Sequence, residues 1–202
     1  MGYAETLFFG VFYPGCIVRL PADENVVYLT FDDGPHPEIT PFVLDELRRY
    51  QAKASFFLVG KNVIKYPGLV ERILQDGHMI GNHSMNHEKG WKTAKDDYVS
   101  SVLRTGELIE TSYFRPPYAK CTIAQFRALR EKFRFVFYDV LAQDWKANLK
   151  GEDCFRLVMN KVRPGSVVVM HDSDKARDRI VVALPLILES LASKGYAFRA
   201  LP

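Results

Sequence analysis

Val26-Val27-Tyr28-Leu29-Thr30-Phe31-Asp32-Asp33-Gly34-Pro35-His36-Pro37 is the stretch that decides how the rest of the chain is interpreted. Its first six residues are mostly apolar, β-branched or aromatic, a pattern typical of a buried strand. Two adjacent carboxylates then stand at the strand end, where each is costly without a cation or a chemical task. A solvated turn explains Asp-Asp-Gly-Pro equally well. This stretch alone leaves both interpretations open.

The remainder of the chain alternates between strand and helix patterns about seven times. Strands are predicted over 54–59, 78–83, 113–115, 133–140, 166–170 and 196–201. Helices are predicted from Thr40-Pro41 and over 63–74 (interrupted near Pro67-Gly68), 96–110, 123–132, 152–162 and 177–193. With no linker or repeat, this alternation predicts one α/β domain with a parallel sheet. No Gly-rich phosphate-binding turn follows the first strand, so we favour a barrel one unit short of eight over an open doubly wound sheet.

Net charge and cysteine content argue against some classes of function. A net charge of +3 over 202 residues is too small to indicate a nucleic-acid partner. The three cysteines, which are widely spaced and odd in number, are predicted to be free thiols: Cys16, Cys121 and Cys154. Oligomeric state stays open.

The apolar stretch over residues 6–20 is too short to span a bilayer, and Pro14 interrupts it. We therefore expect no stable membrane insertion. The stretch also lacks the basic start and cleavage site of a signal peptide. As written, the chain is expected to be cytoplasmic by default, or to belong to the cell envelope or periplasm if it has been trimmed, so the compartment stays open.

Two histidines four residues apart, His83 and His87, follow the predicted third strand. Residues so spaced lie on one face of a helical turn and can bind one divalent ion, although an isolated pair is more often two polar loop residues. Asp33 or Asp32, at another strand end, would complete a set suited to Zn²⁺ and similar metals. The other acid would then be free to act as a base toward water. The residues alone leave the order of the two acids open.

Other strand ends also carry chemically useful side chains. Arg115 is expected beside Asp32, where a guanidinium would hold the carboxylate ionised. After two prolines, Tyr118 offers the first free N–H, suited to a developing oxyanion. His171 is expected to pair with Asp144 and donate a proton to a leaving group.

Several further residues are given secondary roles. Trp145 is a candidate for lining a sugar or acyl pocket. His36 and His78 are expected to be structural. Three loop residues are placed at the surface, as a possible groove rim: Lys89, Trp91 and Lys92.

From Val26 to its end the chain resembles the polysaccharide deacetylases of carbohydrate esterase family 4, the NodB-homology domain. Five ordered motifs carry the resemblance: Thr30–Pro35, His83–His87, Arg115–Tyr118, Asp139–Trp145 and Val169–Asp172. The resemblance implies a distorted (β/α)7-type barrel with parallel strands over 26–202, preceded by an N-terminal extension over 1–25 that packs on the barrel. Ala119 departs from the family pattern, which usually has glycine after the tyrosine.

The resemblance also implies roles for individual residues. Asp33, His83 and His87 would be the ligands of one divalent metal ion, most often Zn²⁺, with Co²⁺, Ni²⁺ or Mn²⁺ as alternatives. Asp32 would be the base and His171 the acid, tuned by Arg115 and Asp144, while Tyr118 would contribute its amide to an oxyanion hole. Substrate contacts are expected from Trp145, Val169 and Pro117.

The activity this implies is metal-dependent removal of N-acetyl groups from a glycan containing N-acetylglucosamine, peptidoglycan or a chitin-like polymer. Two alternatives stay open at this point. The same site could remove O-acetyl groups from xylan or a related glycan. The domain could also bind a glycan and keep its metal without catalysing a reaction.

Overall fold

The computed structural model describes residues 9–202, which contain eight strands, seven α-helices and a further helical segment at residues 9–12. The strands are β1 (Val26–Asp32), β2 (Ser55–Leu58), β3 (Met79–Asn82), β4 (Tyr113–Phe114), β5 (Arg134–Phe135), β6 (Val140–Leu141), β7 (Val167–His171) and β8 (Ala197–Phe198). The helices are α1 (Ile39–Arg49), α2 (Gly60–Lys65), α3 (Pro67–Gln75), α4 (Lys95–Leu108), α5 (Ile123–Leu129), α6 (Gly151–Met159) and α7 (Arg177–Ser193). The break predicted near Pro67 is confirmed as the boundary between α2 and α3.

The strands form one curled sheet in the order β5-β4-β3-β2-β1-β7-β6, with β8 beside the start of β1. All of these pairs are parallel. The predicted distorted barrel of parallel strands is confirmed. Because strands run in one direction, their carboxyl ends gather at one edge, where a site is expected in such folds.

The predicted fifth strand over 133–140 is wrong in one respect, since it consists of two short strands, β5 and β6, which pair with different neighbours. No helix separates them, so the alternation breaks here. The chain bends at Asp139, whose buried carboxylate accepts hydrogen bonds from the Ser166 hydroxyl at 3.0 Å and the Val167 N–H at 2.9 Å. A buried carboxylate requires such partners, and the bend is what brings Asp139 to them.

Residues 17–20 lie across the gap between β5 and β7. Ile17 N–H donates to the Phe135 carbonyl at 2.8 Å, and Phe137 N–H donates to the Ile17 carbonyl at 2.7 Å. Leu20 N–H donates to the Gly165 carbonyl at 3.0 Å. This segment therefore supplies backbone partners that a closed ring of strands would otherwise provide.

Three apolar cores hold the sheet between its helices and the N-terminal segment. The largest includes Val27, Leu29 and Phe31 of β1 together with residues of α1 and α7. The second is rich in aromatic residues, and there Phe9 stacks on Phe137 with ring centroids 4.1 Å apart. The third and smallest contains Ile17. Residues 9–25 thus pack against the barrel, while the start of the predicted extension, residues 1–8, lies outside the described residues. The division into extension and domain stays a prediction.

Two sequence predictions concern chemistry outside the site. The three thiols predicted to be free are confirmed as such, with Cys121 and Cys154 buried and Cys16 partly so. Within residues 9–202, no helix is both long and apolar enough to cross a membrane.

Candidate active site

Asp33, His83 and His87 converge at the carboxyl edge of the sheet, with one potential ligand atom from each lying within 4.8 Å of the others. Asp33 follows β1 directly and His83 follows β3 directly. The Asp33 Oδ1 atom lies 3.0 Å from His87 Nε2 and 3.7 Å from His83 Nε2. This oxygen is buried and accepts no well-formed hydrogen bond from residues 9–202. A buried carboxylate oxygen without a donor is suited to a cation.

His83 has the protonation state of a metal ligand. Its Nδ1 lies 2.7 Å from the Arg115 carbonyl oxygen, which can only accept, so Nδ1 carries the proton and Nε2 presents a lone pair toward Asp33. Burial lowers the pKa of His83 to about 4, outweighing the opposing effect of the nearby acids Asp32 and Asp33. A neutral imidazole whose second nitrogen donates to a carbonyl is the usual arrangement in metal sites. The three side chains therefore fit one divalent ion.

The Asp33 carboxyl is ionised. Burial alone would raise its pKa, but the imidazoles of His87, His171 and His83 lower the pKa well below its usual range. Two imidazoles and one carboxylate form a nitrogen and oxygen donor set suited to zinc and neighbouring transition metals.

The loop that carries both histidines is held by Glu88. Ser84 and His87 both have left-handed backbone conformations, with φ of 64° and 60°, which non-glycine residues seldom adopt. The Glu88 carboxylate accepts from the Ser84 hydroxyl at 2.6 Å and from the Ser101 hydroxyl of α4 at 2.6 Å. These bonds tie the loop to a helix and keep its strained backbone in place.

Arg115 contacts Asp32 as expected. Its Nη1 donates to Asp32 Oδ1 at 2.7 Å and to Thr30 Oγ1 at 2.7 Å. Its Nη2 donates to the Phe137 carbonyl at 3.1 Å, and the guanidinium carbon lies 4.0 Å from the centre of the Phe57 ring. Arg115 is 1% exposed, so every face of it is fixed by protein. The pair fixes the position of the Asp32 carboxyl group.

His171 and Asp144 form the second expected pair. His171 Nδ1 lies 2.7 Å from Asp144 Oδ1, and the His171 backbone N–H donates to Asp144 Oδ2 at 2.8 Å. Burial lowers the pKa of His171, but the Asp144 carboxylate, helped by Asp33 and Asp32, raises it to about 9. The imidazolium is therefore charged at neutral pH and can release a proton from Nε2.

One groove of about 330 Å³ brings most of these groups together. Along its wall Tyr118 and Ala119 have φ of 59° and 55°, which places two consecutive non-glycine residues in the left-handed region. Trp145 lies beside His171, with ring centroids 5.1 Å apart. Asp144 is fully buried and does not line the groove, whereas the following expected site residues do: Asp32, Asp33, His83, His87, Arg115, Tyr118, Trp145, Val169 and His171.

Comparison with known proteins identifies the family to which this chain belongs. The family description for polysaccharide deacetylases matches residues 19–133, more than half of the chain. This chain belongs to the polysaccharide deacetylase family. The resemblance drawn from the five motifs is confirmed, and the chain is a deacetylase. Members of this family are metal-dependent, in keeping with the Asp/His/His cluster.

Individual relatives resemble this chain over most of its length. A peptidoglycan-N-acetylglucosamine deacetylase of Bacillus cereus is 35% identical over 190 residues, which cover 90% of this chain and 69% of the relative. The crystal structure of the Bc1960 peptidoglycan N-acetylglucosamine deacetylase superposes with a TM-score of 0.90 at 34% identity, covering 98% and 95% of the two chains. A family 4 acetyl xylan esterase from Clostridium thermocellum, in complex with a cobalt ion, superposes with a TM-score of 0.80 at 31% identity, covering 87% of each chain.

The deacetylase groove differs from the sequence-based prediction in its lining. Pro117 is buried within the turn, and its neighbour Pro116 lines the groove instead. Besides Pro116, five lining residues were not singled out as site residues: Ala119, Lys120, Tyr138, Leu141 and Lys175. Tyr138 and Leu141 were assigned to a strand or motif without a role, and the lysines lack any local pattern that marks them.

Asp172 lies in the fifth motif, but the sequence pattern assigned no role to it. Burial raises the pKa of its carboxyl to about 8. It accepts from the Thr40 hydroxyl at 2.5 Å, and its backbone N–H donates to the Asp32 carbonyl at 3.1 Å. A Cβ atom on Gly34 would lie 2.2 Å from Asp172 Oδ2, so only glycine fits there. Asp172 therefore packs against the turn that carries both active-site acids.

The two histidines expected to be structural lie outside the groove lining. His78 accepts from the Ala54 N–H at 3.1 Å, and burial lowers its pKa to about 4. His36 Nδ1 lies 3.3 Å from the Ile39 N–H at the start of α1. Both side chains thus have backbone partners that account for them.

Proposed function

We propose that this chain removes the acetyl group from N-acetylglucosamine residues of a polysaccharide by metal-dependent hydrolysis. One observation carries the proposal: Asp32, held by Arg115, and a protonated His171 line the same groove as the Asp33, His83 and His87 cluster. Amide hydrolysis requires a general base and a general acid, and these two side chains would supply them.

Asp33, His83 and His87 would hold the metal, and their donor set favours Zn²⁺, with Co²⁺, Ni²⁺ and Mn²⁺ as alternatives. When bound, such an ion polarises a carbonyl and lowers the pKa of water. The cobalt ion in the structure of the acetyl xylan esterase supports a metal of this class.

The side chains of this protein would carry the protons. Asp32, fixed by Arg115, takes a proton from water as the water oxygen bonds to the acetyl carbon. The Tyr118 N–H donates to the carbonyl oxygen while negative charge develops there. The C–N bond then breaks, His171 Nε2 gives its proton to the departing nitrogen, and acetate and a free amine result. Asp144 keeps His171 aimed through both carboxylate oxygens.

The relatives support a glycan substrate. The Bacillus cereus relative is named for peptidoglycan N-acetylglucosamine, and we propose peptidoglycan or a chitin-like polymer for this chain. Trp145 and Val169 would shape the acetyl pocket, and Pro117 would support it from the turn beneath. The likeness to the acetyl xylan esterase favours O-acetyl removal as a second candidate, because an alcohol leaves more readily than an amine.

Replacing Asp32 with Asn tests the proposal. We expect acetate release from chitooligosaccharides and peptidoglycan to fall about 10²–10⁴-fold, the range that general base catalysis supplies, with metal content unchanged. Asp97→Asn, at an exposed position in α4, is the matched control and should keep wild-type activity. Full activity of Asp32→Asn would refute the base assignment. Wild-type acetate release from acetylated xylan alone would establish the esterase instead.

A further inference from the structure

We propose that three lysines on the rim of this groove bind carboxylates on the sugars next to the one being deacetylated. Lys120 and Lys175 belong to the groove lining, and Lys89 lies beside Tyr118, which also lines the groove. The inference rests on the proposed function, because it concerns which glycan enters the same groove. It names the substrate class as an acidic glycan, in which N-acetylglucosamine alternates with a sugar that bears a carboxylate.

Sheet topology places the lysines on both flanks of the catalytic strand. Lys89 follows β3 and Lys120 follows β4, while Lys175 follows β7. The strand order is β4-β3-β2-β1-β7, so the first two lie on one side of β1 and the third on the other. A glycan that places one sugar at the carboxyl end of β1 therefore passes a cation in each direction.

Aromatic rings fix two of these lysines at the rim. Lys89 Nζ lies 4.8 Å from the centre of the Tyr118 ring, and Lys120 Nζ lies 5.0 Å from the centre of the Trp91 ring. Trp91 is itself held, since its Nε1 donates to the Cys121 carbonyl at 3.0 Å, yet it is 61% exposed. Cation–π contacts of this kind orient an ammonium group without neutralising it.

The rim cations are available for a ligand. All three lysines are exposed, and none forms an ion pair with any residue of 9–202. Nearby acids are already engaged: Asp174 contacts Arg177 at 2.9 Å and His36 at 3.2 Å, and Glu88 accepts from two serine hydroxyls. Unpaired cations along a groove raise the local concentration of anionic ligands and favour them over neutral ones.

The inference is tested with a rim variant, Lys89→Gln/Lys120→Gln/Lys175→Gln. Its control, Lys132→Gln/Lys161→Gln/Lys194→Gln, removes the same charge at exposed positions that precede β5, β7 and β8, at the opposite end of the strands. The probes are a tetrasaccharide of alternating N-acetylglucosamine and N-acetylmuramic acid, with and without its peptides, and neutral tetra-N-acetylchitotetraose. The peptide is joined to N-acetylmuramic acid by an amide bond at the carboxyl group of the sugar, so only the peptide-free form presents the carboxylate of the sugar, and the peptide-bearing form presents those of the peptide.

We expect the ratio of kcat/KM for the acidic over the neutral tetrasaccharide to fall about tenfold in the rim variant and to stay unchanged in the control. A loss confined to the peptide-bearing form would overturn the assignment to the sugar carboxylate. If the ratio is unchanged and acetate is still released, the binding role of the three lysines would be overturned, while the proposed function would remain intact. If neither glycan is deacetylated, the affinity for the acidic tetrasaccharide is measured by calorimetry. Equal affinity of the wild type and the rim variant would then overturn the inference.

Discussion

His83, which is buried, and His171, which is partly buried, line the same groove, yet their pKa values are shifted in opposite directions. The pKa of His83 is lowered to about 4, and that of His171 is raised to about 9. The difference lies in what faces Nδ1. For His83 it is the neutral carbonyl of Arg115, and for His171 it is the carboxylate of Asp144, each at 2.7 Å. Burial alone removes the charge, and a buried carboxylate restores it.

Under the proposed function, this contrast divides the groove into a metal side, with Asp33, His83 and His87, and an acid side, with His171 held by Asp144. It also gives opposite pH dependences of stability. His83 binds a proton more weakly when folded, so its contribution is complete above a pH of about 6.5 and is lost as the pH falls toward 4. His171 binds its proton more tightly when folded, so its contribution is complete below about 6.5 and is lost as the pH rises through 9.

Replacing Asp144 with Asn breaks the acid side of the comparison and has the largest expected effect. Without the carboxylate, we expect burial to outweigh the remaining effect of Asp33 and Asp32, so that His171 becomes neutral at pH 7. We expect kcat/KM to fall about 10²–10³-fold, with its alkaline limb moving from near 9 to below 6.5. Metal content should not change. An unshifted alkaline limb in the pH–rate profile of a folded variant would show that Asp144 does not set the charge of His171.

Replacing Glu88 with Gln weakens the metal side in the same way. The Glu88 carboxylate holds the loop in which His87 has a left-handed backbone, so we expect metal affinity to fall about 10–100-fold. Competition with a chelator measures this directly. Glu107→Gln, exposed on α4, is the matched control and should bind metal like the wild type. Unchanged affinity in Glu88→Gln would mean that the loop holds its shape without this carboxylate.

Ala119→Gly has the smallest expected effect and probes the wall of the groove, to which Ala119 belongs. Ala119 has φ of 55°, a conformation that costs an L-residue about 1–2 kcal/mol, while glycine adds an entropic cost of about 0.5–1 kcal/mol. We expect a net stabilisation of about 0.5–1 kcal/mol in urea unfolding. Ala128→Gly, exposed in α5, should instead destabilise by about 1 kcal/mol. Destabilisation by both variants would show that Ala119 is unstrained.

The strand ends that carry the site could be predicted because each is a local pattern. Asp32 and Asp33 follow an apolar run, His83 and His87 have ligand spacing, and Arg115 precedes two prolines. In a parallel sheet such ends meet at one edge, so their convergence follows from the alternation of strand and helix. The family resemblance then ordered the two acids, which spacing alone had left open.

Other features depend on contacts that leave no local pattern. The bend at Asp139 exists because its carboxylate reaches Ser166 and Val167, far away in sequence. The backbone pairing of Ile17 with Val136 likewise joins distant segments. Lys175 reaches the groove only through the path of the loop after β7. Apolar periodicity reports burial of a segment and carries no information about such long-range partners.

The most direct test of the central claim is a titration of the histidine ring nitrogens by NMR in the metal-free protein. If the partner at Nδ1 decides the role, His171 should lose its proton only near pH 9, and His83 should remain neutral down to about pH 4. In Asp144→Asn, the His171 signal should move below 6.5 while that of His83 stays in place. Titration of both rings near the unperturbed value of about 6.5 would contradict the account.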